Sequence, residues 1–245
     1  MAYERKYFIH NYDCDISGRL SISSMIKYFE DIALLHSEDV GFGMQYYLTE
    51  HVAWILHQWN IEIFDKPFFM DNIKLVTNPY SYKAFMANRE FEIYSEDDDL
   101  LVKADSVWLF TDSKLRKTKR IDADVMKAYG IGENGPELFT KLPDPKPALN
   151  FEDSYEYVVR KSDIDINNHL NNVRYIDLAI EALPEDITDE MELGNIDVIF
   201  KKELLLEDLV TIGYKKLNEE APLTYIHSVL NSKREVCAVI KTEWI

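Results

Sequence analysis

The chain has 245 residues, of which 47% are hydrophobic, so it can form real cores, and a disordered or fibrous chain is not expected. Its 44 aspartates and glutamates against 27 lysines and arginines give a net charge of -17, which argues against nucleic acid or an anionic membrane as a partner. The two cysteines, Cys14 and Cys237, suggest neither a disulfide framework nor a zinc ribbon.

The N-terminal residues contain no basic stretch followed by an unbroken apolar run, so no signal peptide is expected. Apolar runs elsewhere are interrupted by charge far short of the ~18 residues that a membrane-crossing helix needs. Together with the cysteine usage, this predicts a cytoplasmic protein that does not insert into a membrane.

The first predicted helix follows the polar segment 12–21. Apolar residues recur there at three- and four-residue spacing, and Gly41 or Gly43 can end the helix. The apolar positions are Ile22, Met25, Ile26, Phe29, Ile32, Ala33 and Val40. Such a wide apolar face must pack against something large.

Four segments rich in β-branched and aromatic residues come next, at 52–64, 72–77, 84–94 and 100–111. Short polar turns such as Ser95-Glu96-Asp97-Asp98-Asp99 separate them. Turns of this length join neighbouring antiparallel strands, so a β-meander is expected after the first helix.

A proline- and glycine-rich stretch, 131–150, shows neither helical nor strand periodicity and is predicted to be a linker. It separates an N-terminal domain, 1–130, from a C-terminal domain, 151–245. Both lengths fall in the usual range for a small domain.

The second domain repeats the first. Residues 162–171 align without a gap on residues 12–21, so that Asp13 and Asp15 fall on Asp163 and Asp165. A second helix is predicted over 173–183, ended by Pro184, and strands are predicted over 195–200, 209–215, 224–231 and 236–244. One helix followed by a meander is an α+β unit, and the chain contains two of them.

The segment 163–172, Asp-Ile-Asp-Ile-Asn-Asn-His-Leu-Asn-Asn, is the richest in chemically reactive side chains. Asp and Asn favour turns and helix caps, so a capping loop is one interpretation. A calcium-binding loop is excluded, because its glycine position holds Asn168 and its final glutamate position holds Arg174.

The run from Asp165 to Tyr175 resembles the signature of plant and bacterial acyl-acyl-carrier-protein (acyl-ACP) thioesterases, Asp-x-Asn-x-His followed by Asn-Asn-Val-Lys/Arg-Tyr. Segments 15–21, 53–56 and 91–93 resemble the same family. The resemblance implies two tandem hot-dog domains, each an antiparallel sheet wrapped around a long central helix. It also implies hydrolysis of fatty acyl-ACP thioesters in fatty acid biosynthesis, with acyl carrier protein as the partner and no metal or other cofactor.

The same resemblance implies a catalytic set of Asp165, Asn167, His169 and Glu203. Plant members often have a cysteine directly after the glutamate, whereas this chain has Leu204, which excludes a cysteine nucleophile at that position. The other two thiols, Cys14 and Cys237, are expected to be buried and inert.

The aligned positions of the first repeat are Ser17, Arg19 and Lys66, which replace Asn167, His169 and Glu203. We therefore expect one active site, in the second domain, and by resemblance an acyl pocket in the first.

Three alternatives share the fold: an acyl-CoA thioesterase, a non-catalytic acyl-thioester-binding regulator and a dehydratase, since fold alone does not fix function. The choice of His169 or Glu203 as the general base, the acyl chain length and the formation of a homodimer stay open at this stage.

Overall fold

The computed structural model describes residues 2–131 and 139–245. The chain forms two compact units, one made of Met1–Trp59 and Phe64–Leu142, the other of Asn60–Ile63 and Pro143–Ile245. Residues 139–152 contain no helix or strand, and part of the predicted linker, 132–138, lies outside the described residues. Within the described ranges, no helix is long and apolar enough to cross a membrane.

The first unit contains a β-sheet with a long helix packed on it. Its strands lie in the order β1-β3-β4-β5-β2, with the short β6 paired to β5, and the last four residues of β2 are those counted with the second unit. The elements are β1 (Tyr3–Phe8), α1 (Ile22–Asp39), α2 (Met44–Glu50), β2 (Val52–Ile63), β3 (Asn72–Lys83), β4 (Met86–Tyr94), β5 (Leu100–Asp112), β6 (Lys117–Thr118) and α3 (Ala123–Ala128).

The second unit repeats this plan with strands in the order β8-β11-β10-β9-β7, each antiparallel to its neighbour. Its elements are β7 (Asp153–Val158), α4 (Asn172–Glu181), α5 (Glu185–Glu190), β8 (Leu193–Phe200), β9 (Leu209–Lys216), β10 (Leu223–Asn231) and β11 (Val236–Trp244). The α+β class and the eight strands expected from the sequence are therefore present.

A serine cap and a glycine mark the two ends of helix α1. Ser21 caps its N-terminus by accepting a hydrogen bond from the Ser24 N–H, and Gly41 follows its end with a φ of 81°. Its apolar face is buried, with Phe29 in ring contact with Trp59 and Phe91 at 5.7 and 5.0 Å. Burial of each such side chain stabilises the fold by about 1.5–3 kcal/mol.

Strands β1 and β7 were not expected from the sequence. β1 pairs with β3 and β7 with β9, and each lies at the edge of its sheet. Four of the six residues in each strand are exposed, so their sequences lack the apolar alternation that marks a half-buried strand. Main-chain pairing along the sheet edge holds them in place.

Candidate active site

The loop that precedes α4 is anchored by a buried carboxylate. Asp163 is 5% exposed and accepts hydrogen bonds from the Tyr157 hydroxyl at 2.6 Å and the Arg160 N–H at 2.8 Å. Arg174 Nε lies 3.3 Å from its other oxygen, and Arg174 Nη1 pairs with Asp177 at 2.8 Å. Burial opposes ionisation of Asp163, but these partners outweigh it and hold the pKa below its usual value.

Asp165 holds the next turn of the loop. Its Oδ1 accepts from the backbone N–H groups of Asn167 and His169 at 2.8 and 3.1 Å, and its Oδ2 accepts from the Asn167 side-chain amide at 3.1 Å. Asn168 takes the left-handed conformation, with a φ of 63°, that closes this turn. Asp165 therefore orients the Asn167 side chain directly, whereas it contacts His169 through the backbone.

His169 and Glu203 are 34 positions apart in the sequence (203 − 169), and the fold brings them together. His169 Nε2 lies 3.0 Å from Glu203 Oε2, with side chains 31% and 44% exposed. The two segments are joined by the Leu170 N–H, which donates to the Leu204 carbonyl at 2.8 Å. All four predicted site residues thus lie in the second unit, on one loop and the segment hydrogen-bonded to it.

The N-terminal part of helix α4 holds the catalytic loop and the segment of Glu203 in place. Asn171 caps the helix by accepting from the Val173 N–H at 2.9 Å, and the buried Tyr175 donates its hydroxyl to the Lys202 carbonyl at 3.2 Å. Tyr175 therefore fixes the peptide next to Glu203. The spacing of the motif did not reveal this role, because it depends on a contact with a segment distant in sequence.

Models of both domains of the acyl-ACP thioesterases match the chain, the N-terminal domain over residues 1–129 and the C-terminal domain over residues 148–245. The chain belongs to the acyl-ACP thioesterase family. Among curated relatives, oleoyl-acyl carrier protein thioesterase 2 of Arabidopsis thaliana is 24% identical over 226 residues, 85% of this chain and 61% of its own length. The corresponding coriander (Coriandrum sativum) enzyme is 23% identical over 92% of this chain and 66% of its own.

An oleoyl thioesterase from Lactobacillus plantarum has the same fold, with a TM-score of 0.88 and 24% identity over 100% of this chain and 96% of its own. The 12:0-ACP thioesterase of Umbellularia californica matches with a TM-score of 0.85 and 16% identity, over 100% and 94% of the two chains. The prediction of two tandem hot-dog domains is thereby confirmed. The chain spans only 61 to 66% of the length of the two plant relatives described above.

In this acyl-ACP thioesterase family member, position 204 holds a leucine whose side chain is 1% exposed, so it supports the loop by packing. Cys237 is fully buried, and burial raises the pKa of its thiol to about 11. The prediction of a buried thiol is wrong for Cys14, which is partly exposed because it ends a short 3-10 turn, outside the strands. Burial still raises its pKa, so neither thiol is activated.

The corresponding loop in the first unit has an equivalent main-chain hydrogen bond but different side chains at the catalytic positions. Leu20 donates to the Pro67 carbonyl at 2.8 Å, as Leu170 does to Leu204. At the position of Glu203, Lys66 pairs with Asp15 at 3.0 Å. The first unit thus has a salt-bridged lysine at the position where the second unit has the glutamate of its histidine–glutamate pair.

Two backbone N–H groups at the N-terminus of helix α4 already have acceptors within the chain. The Asn171 side chain accepts from the Val173 N–H, and the Arg174 N–H donates to the Asn171 carbonyl at 2.9 Å. The Asn167 amide, with a second N–H besides the one donated to Asp165, is then the better donor to a substrate oxygen. Across residues 2–131 and 139–245, no group of three or more His, Cys, Asp or Glu side chains could hold a metal ion.

Proposed function

We propose that the chain hydrolyses fatty acyl-ACP thioesters to free fatty acid and holo-ACP in fatty acid biosynthesis. The observation that carries the proposal is the 3.0 Å contact between His169 Nε2 and Glu203 Oε2, with the Asn167 amide held by Asp165 on the same loop as His169. Family membership supports the same chemistry.

In the proposed reaction, the Asn167 amide donates to the thioester carbonyl oxygen, where negative charge develops. His169 donates its Nε2–H to Glu203 and orients it, and Glu203 removes a proton from the attacking water. The new C–O bond gives a tetrahedral oxyanion. Its collapse breaks the C–S bond and releases a thiolate, whose conjugate thiol has a pKa of about 8–9, so no strong general acid is needed.

Release of free thiol from purified acyl-ACPs, followed with a chromogenic thiol reagent, tests this function. We expect turnover on the carrier-bound chain and a lower kcat/KM on the same chain carried by coenzyme A. Equal or higher kcat/KM on coenzyme A would favour the acyl-CoA thioesterase, and absence of thiol release with tight binding would favour the regulator. A series from octanoyl to oleoyl carriers gives the chain-length preference in the same assay.

The double variant Cys14→Ser, Cys237→Ser is expected to keep its turnover, because both thiols have raised pKa values and neither belongs to the proposed set. A hydroxyl at the buried position can lower stability by about 1–3 kcal/mol, so circular dichroism must confirm folding first. A folded but inactive double variant, with an acyl-cysteine trapped in the parent protein, would establish covalent catalysis instead.

Carrier docking is proposed at the basic residues that flank the catalytic loop. These exposed residues are Arg160, Lys161, Lys201 and Lys202. At the equivalent positions the first repeat has His10, Asn11, Phe64 and Asp65. Because the chain as a whole is acidic and the carrier is too, a local basic surface can decide docking once salt screens the global repulsion beyond about 8 Å.

Lys202 already pairs with Glu235 at 2.6 Å, so Lys161→Glu with Lys201→Glu is the sharper charge reversal. We expect KM for acyl-ACP to rise by several-fold, which corresponds to a loss of about 1 kcal/mol of binding free energy. The KM for an acyl-pantetheine substrate should be unaffected. Lys114→Glu with Lys117→Glu, two exposed residues of the first unit, is the control with the same change in charge. Equal losses on both substrates would mean that the lysines serve the site itself.

The cytoplasmic location, the acyl pocket in the first domain and any homodimer stay predictions.

A further inference from the structure

Arg174, in the first turn of helix α4, joins two carboxylates. Its Nε lies 3.3 Å from Asp163 Oδ1, and its Nη1 donates to Asp177 Oδ2 at 2.8 Å. Asp163 opens the catalytic loop, residues 163–171, whereas Asp177 lies one turn further along the same helix. The arginine therefore ties the start of the loop to helix α4.

Both ends of the catalytic loop are thus fixed on one helix. The Asn171 N–H donates to the Asp163 carbonyl at 2.9 Å, and the Asn171 side chain caps helix α4. The residue after Arg174 is Tyr175, whose hydroxyl donates to the Lys202 carbonyl. Two consecutive residues of α4 therefore hold the two segments that carry the histidine–glutamate pair.

The first unit contains an equivalent loop with a buried aspartate at the same position. The Ser21 N–H donates to the Asp13 carbonyl at 2.9 Å, and Asp13 is 7% exposed, against 5% for Asp163. The Asp13 carboxylate accepts from the Tyr28 hydroxyl at 2.8 Å and from the His10 N–H at 3.0 Å. A tyrosine and a backbone N–H are therefore enough to anchor the buried aspartate of such a loop.

The arginine is specific to the second of these two loops. Continued without a gap into the two helices, the alignment of the repeats places Ser24 and Lys27 at the positions of Arg174 and Asp177. Holding a long arginine side chain in one conformation costs entropy, and closure of the loop does not require it. Arg174 thus accompanies the catalytic side chains and not the loop conformation.

We propose that Arg174 is a positioning residue, which holds the start of the catalytic loop against helix α4 so that His169 stays within reach of Glu203. Charge-assisted contacts are stronger than neutral ones and fix direction as well as distance. A displacement of about 1 Å can cost about 10²-fold in rate, so a small movement of the loop is enough to matter. The inference rests on the proposed hydrolysis and adds to it a residue that acts through the loop.

Native-state hydrogen exchange tests the positioning without turnover. The Leu170 N–H joins the catalytic loop to the Leu204 carbonyl at 2.8 Å, and the Leu20 N–H makes the equivalent bond of the first unit, also at 2.8 Å. We expect Arg174→Met to speed exchange at Leu170 by about ten-fold or more relative to both Leu20 and Ile240, a core residue of β11. Equal acceleration at Leu170 and Ile240 would mean that Arg174 only stabilises the second unit, which overturns the proposal.

Steady-state kinetics on an acyl-ACP substrate test the consequence for the reaction. We expect Arg174→Met to lower kcat by about ten-fold or more and to leave KM within about two-fold, because the docking residues are unchanged. Arg174→Lys should keep part of the rate, since an ammonium supplies the charge without the planar fork. A folded Arg174→Met protein with the kcat of the parent overturns the proposal.

The pH profile of kcat separates positioning from general stabilisation. Burial raises the pKa of Asp163, which is lowered in turn by three partners: Tyr157, Arg160 and Arg174. Without the arginine this pKa rises, so kcat of Arg174→Met should begin to decline at a higher pH than kcat of the parent. Adding Asp163→Asn removes the titrating group and should restore the shape of the parent's profile. A profile that Arg174→Met leaves unchanged overturns the proposal.

If Arg174→Met does not fold, Arg174→Lys and a matched pair of tyrosine variants decide. Tyr157→Phe removes the 2.6 Å hydrogen bond to Asp163, and Tyr28→Phe removes the 2.8 Å hydrogen bond to the equivalent Asp13. We expect kcat to fall about three-fold or more in Arg174→Lys and in Tyr157→Phe, and to stay at the parent's value in Tyr28→Phe. A parent-like kcat in the first two variants, or an equal loss in both tyrosine variants, overturns the proposal.

The exchange measurement also separates failure of this proposal from failure of the proposed function. A parent protein that releases no thiol from acyl carriers refutes the hydrolysis, while exchange at Leu170 still shows whether Arg174 holds the loop. A parent that hydrolyses acyl-ACP, with Arg174 variants that match it in kcat and in exchange, refutes the positioning role alone.

Discussion

Glu203→Gln and His169→Ala are each expected to lower kcat by about 10² or more and to leave the protein folded. Glutamine keeps the shape of glutamate but cannot take a proton from water. Alanine removes the ring whose Nε2 lies 3.0 Å from Glu203, so the remaining carboxylate loses its orienting partner. Both side chains are partly exposed, so little packing is lost with them.

The internal repeat supplies controls at structurally equivalent positions. Lys66→Gln and Arg19→Ala alter the corresponding loop of the first unit, where the two residues form salt bridges with Asp15 and Asp65. Initial rates on acyl-ACP should stay within about two-fold of the parent for both, since neither residue belongs to the proposed catalytic set. Near-normal turnover in either second-unit variant would remove that residue from the mechanism, and equal losses in both units would locate the chemistry elsewhere.

The protein is expected to lose stability steeply as the pH falls below about 6.5. Burial, with the nearby Arg89 charge in the case of His36, lowers the pKa of His36 and His227 to about 3 from an ordinary 6.5. Between these values the unfolded chain binds protons that the folded chain does not. Each histidine therefore reduces the free energy of unfolding by about 1.4 kcal/mol per pH unit, and the full stability is present only above about pH 6.5.

Carboxyl groups act differently in this window. The pKa values of Asp15 and Asp163 are held below 3.8, so their stabilisation of the folded state is lost only at still lower pH. Burial raises the pKa of Asp197, so this one group stabilises the folded state as the pH falls and partly offsets the histidines. Urea unfolding at several pH values from about 7.5 to 5 measures the slope. His36→Asn should flatten the slope by about one histidine's share, and a parent protein equally stable at both ends would contradict the account.

Sequence patterns predicted the long elements that bury an apolar face, but not the short helices α2, α3 and α5, although α3 buries Val125 and Met126. Helices α1 and α4 and the eight predicted strands carry the required periodicity, whereas β1 and β7 are held by main-chain pairing at exposed edges and show none. Periodicity reports burial, so elements that bury little cannot be found from it.

The candidate site likewise contains residues that a local motif predicts and residues that only the packing of the fold brings together. The local motif contains Asp165, Asn167 and His169, and resemblance alone added Glu203. The contact between Tyr175 and the Lys202 carbonyl, and the buried pair of His36 and Arg89, join residues 27 and 53 positions apart. Such contacts depend on how strands and helices pack, which no spacing within one segment encodes.

In the proposed reaction, water attacks a carrier-bound fatty thioester directly, without an acyl-enzyme. A single turnover with excess protein, in water enriched in heavy oxygen, tests it when carrier, fatty acid and protein are all weighed by mass spectrometry. We expect holo-carrier, a fatty acid with one heavy oxygen atom, and protein of unchanged mass at every time point. An intact acyl-carrier, or a protein that gains the mass of the acyl group before the fatty acid is released, would contradict it.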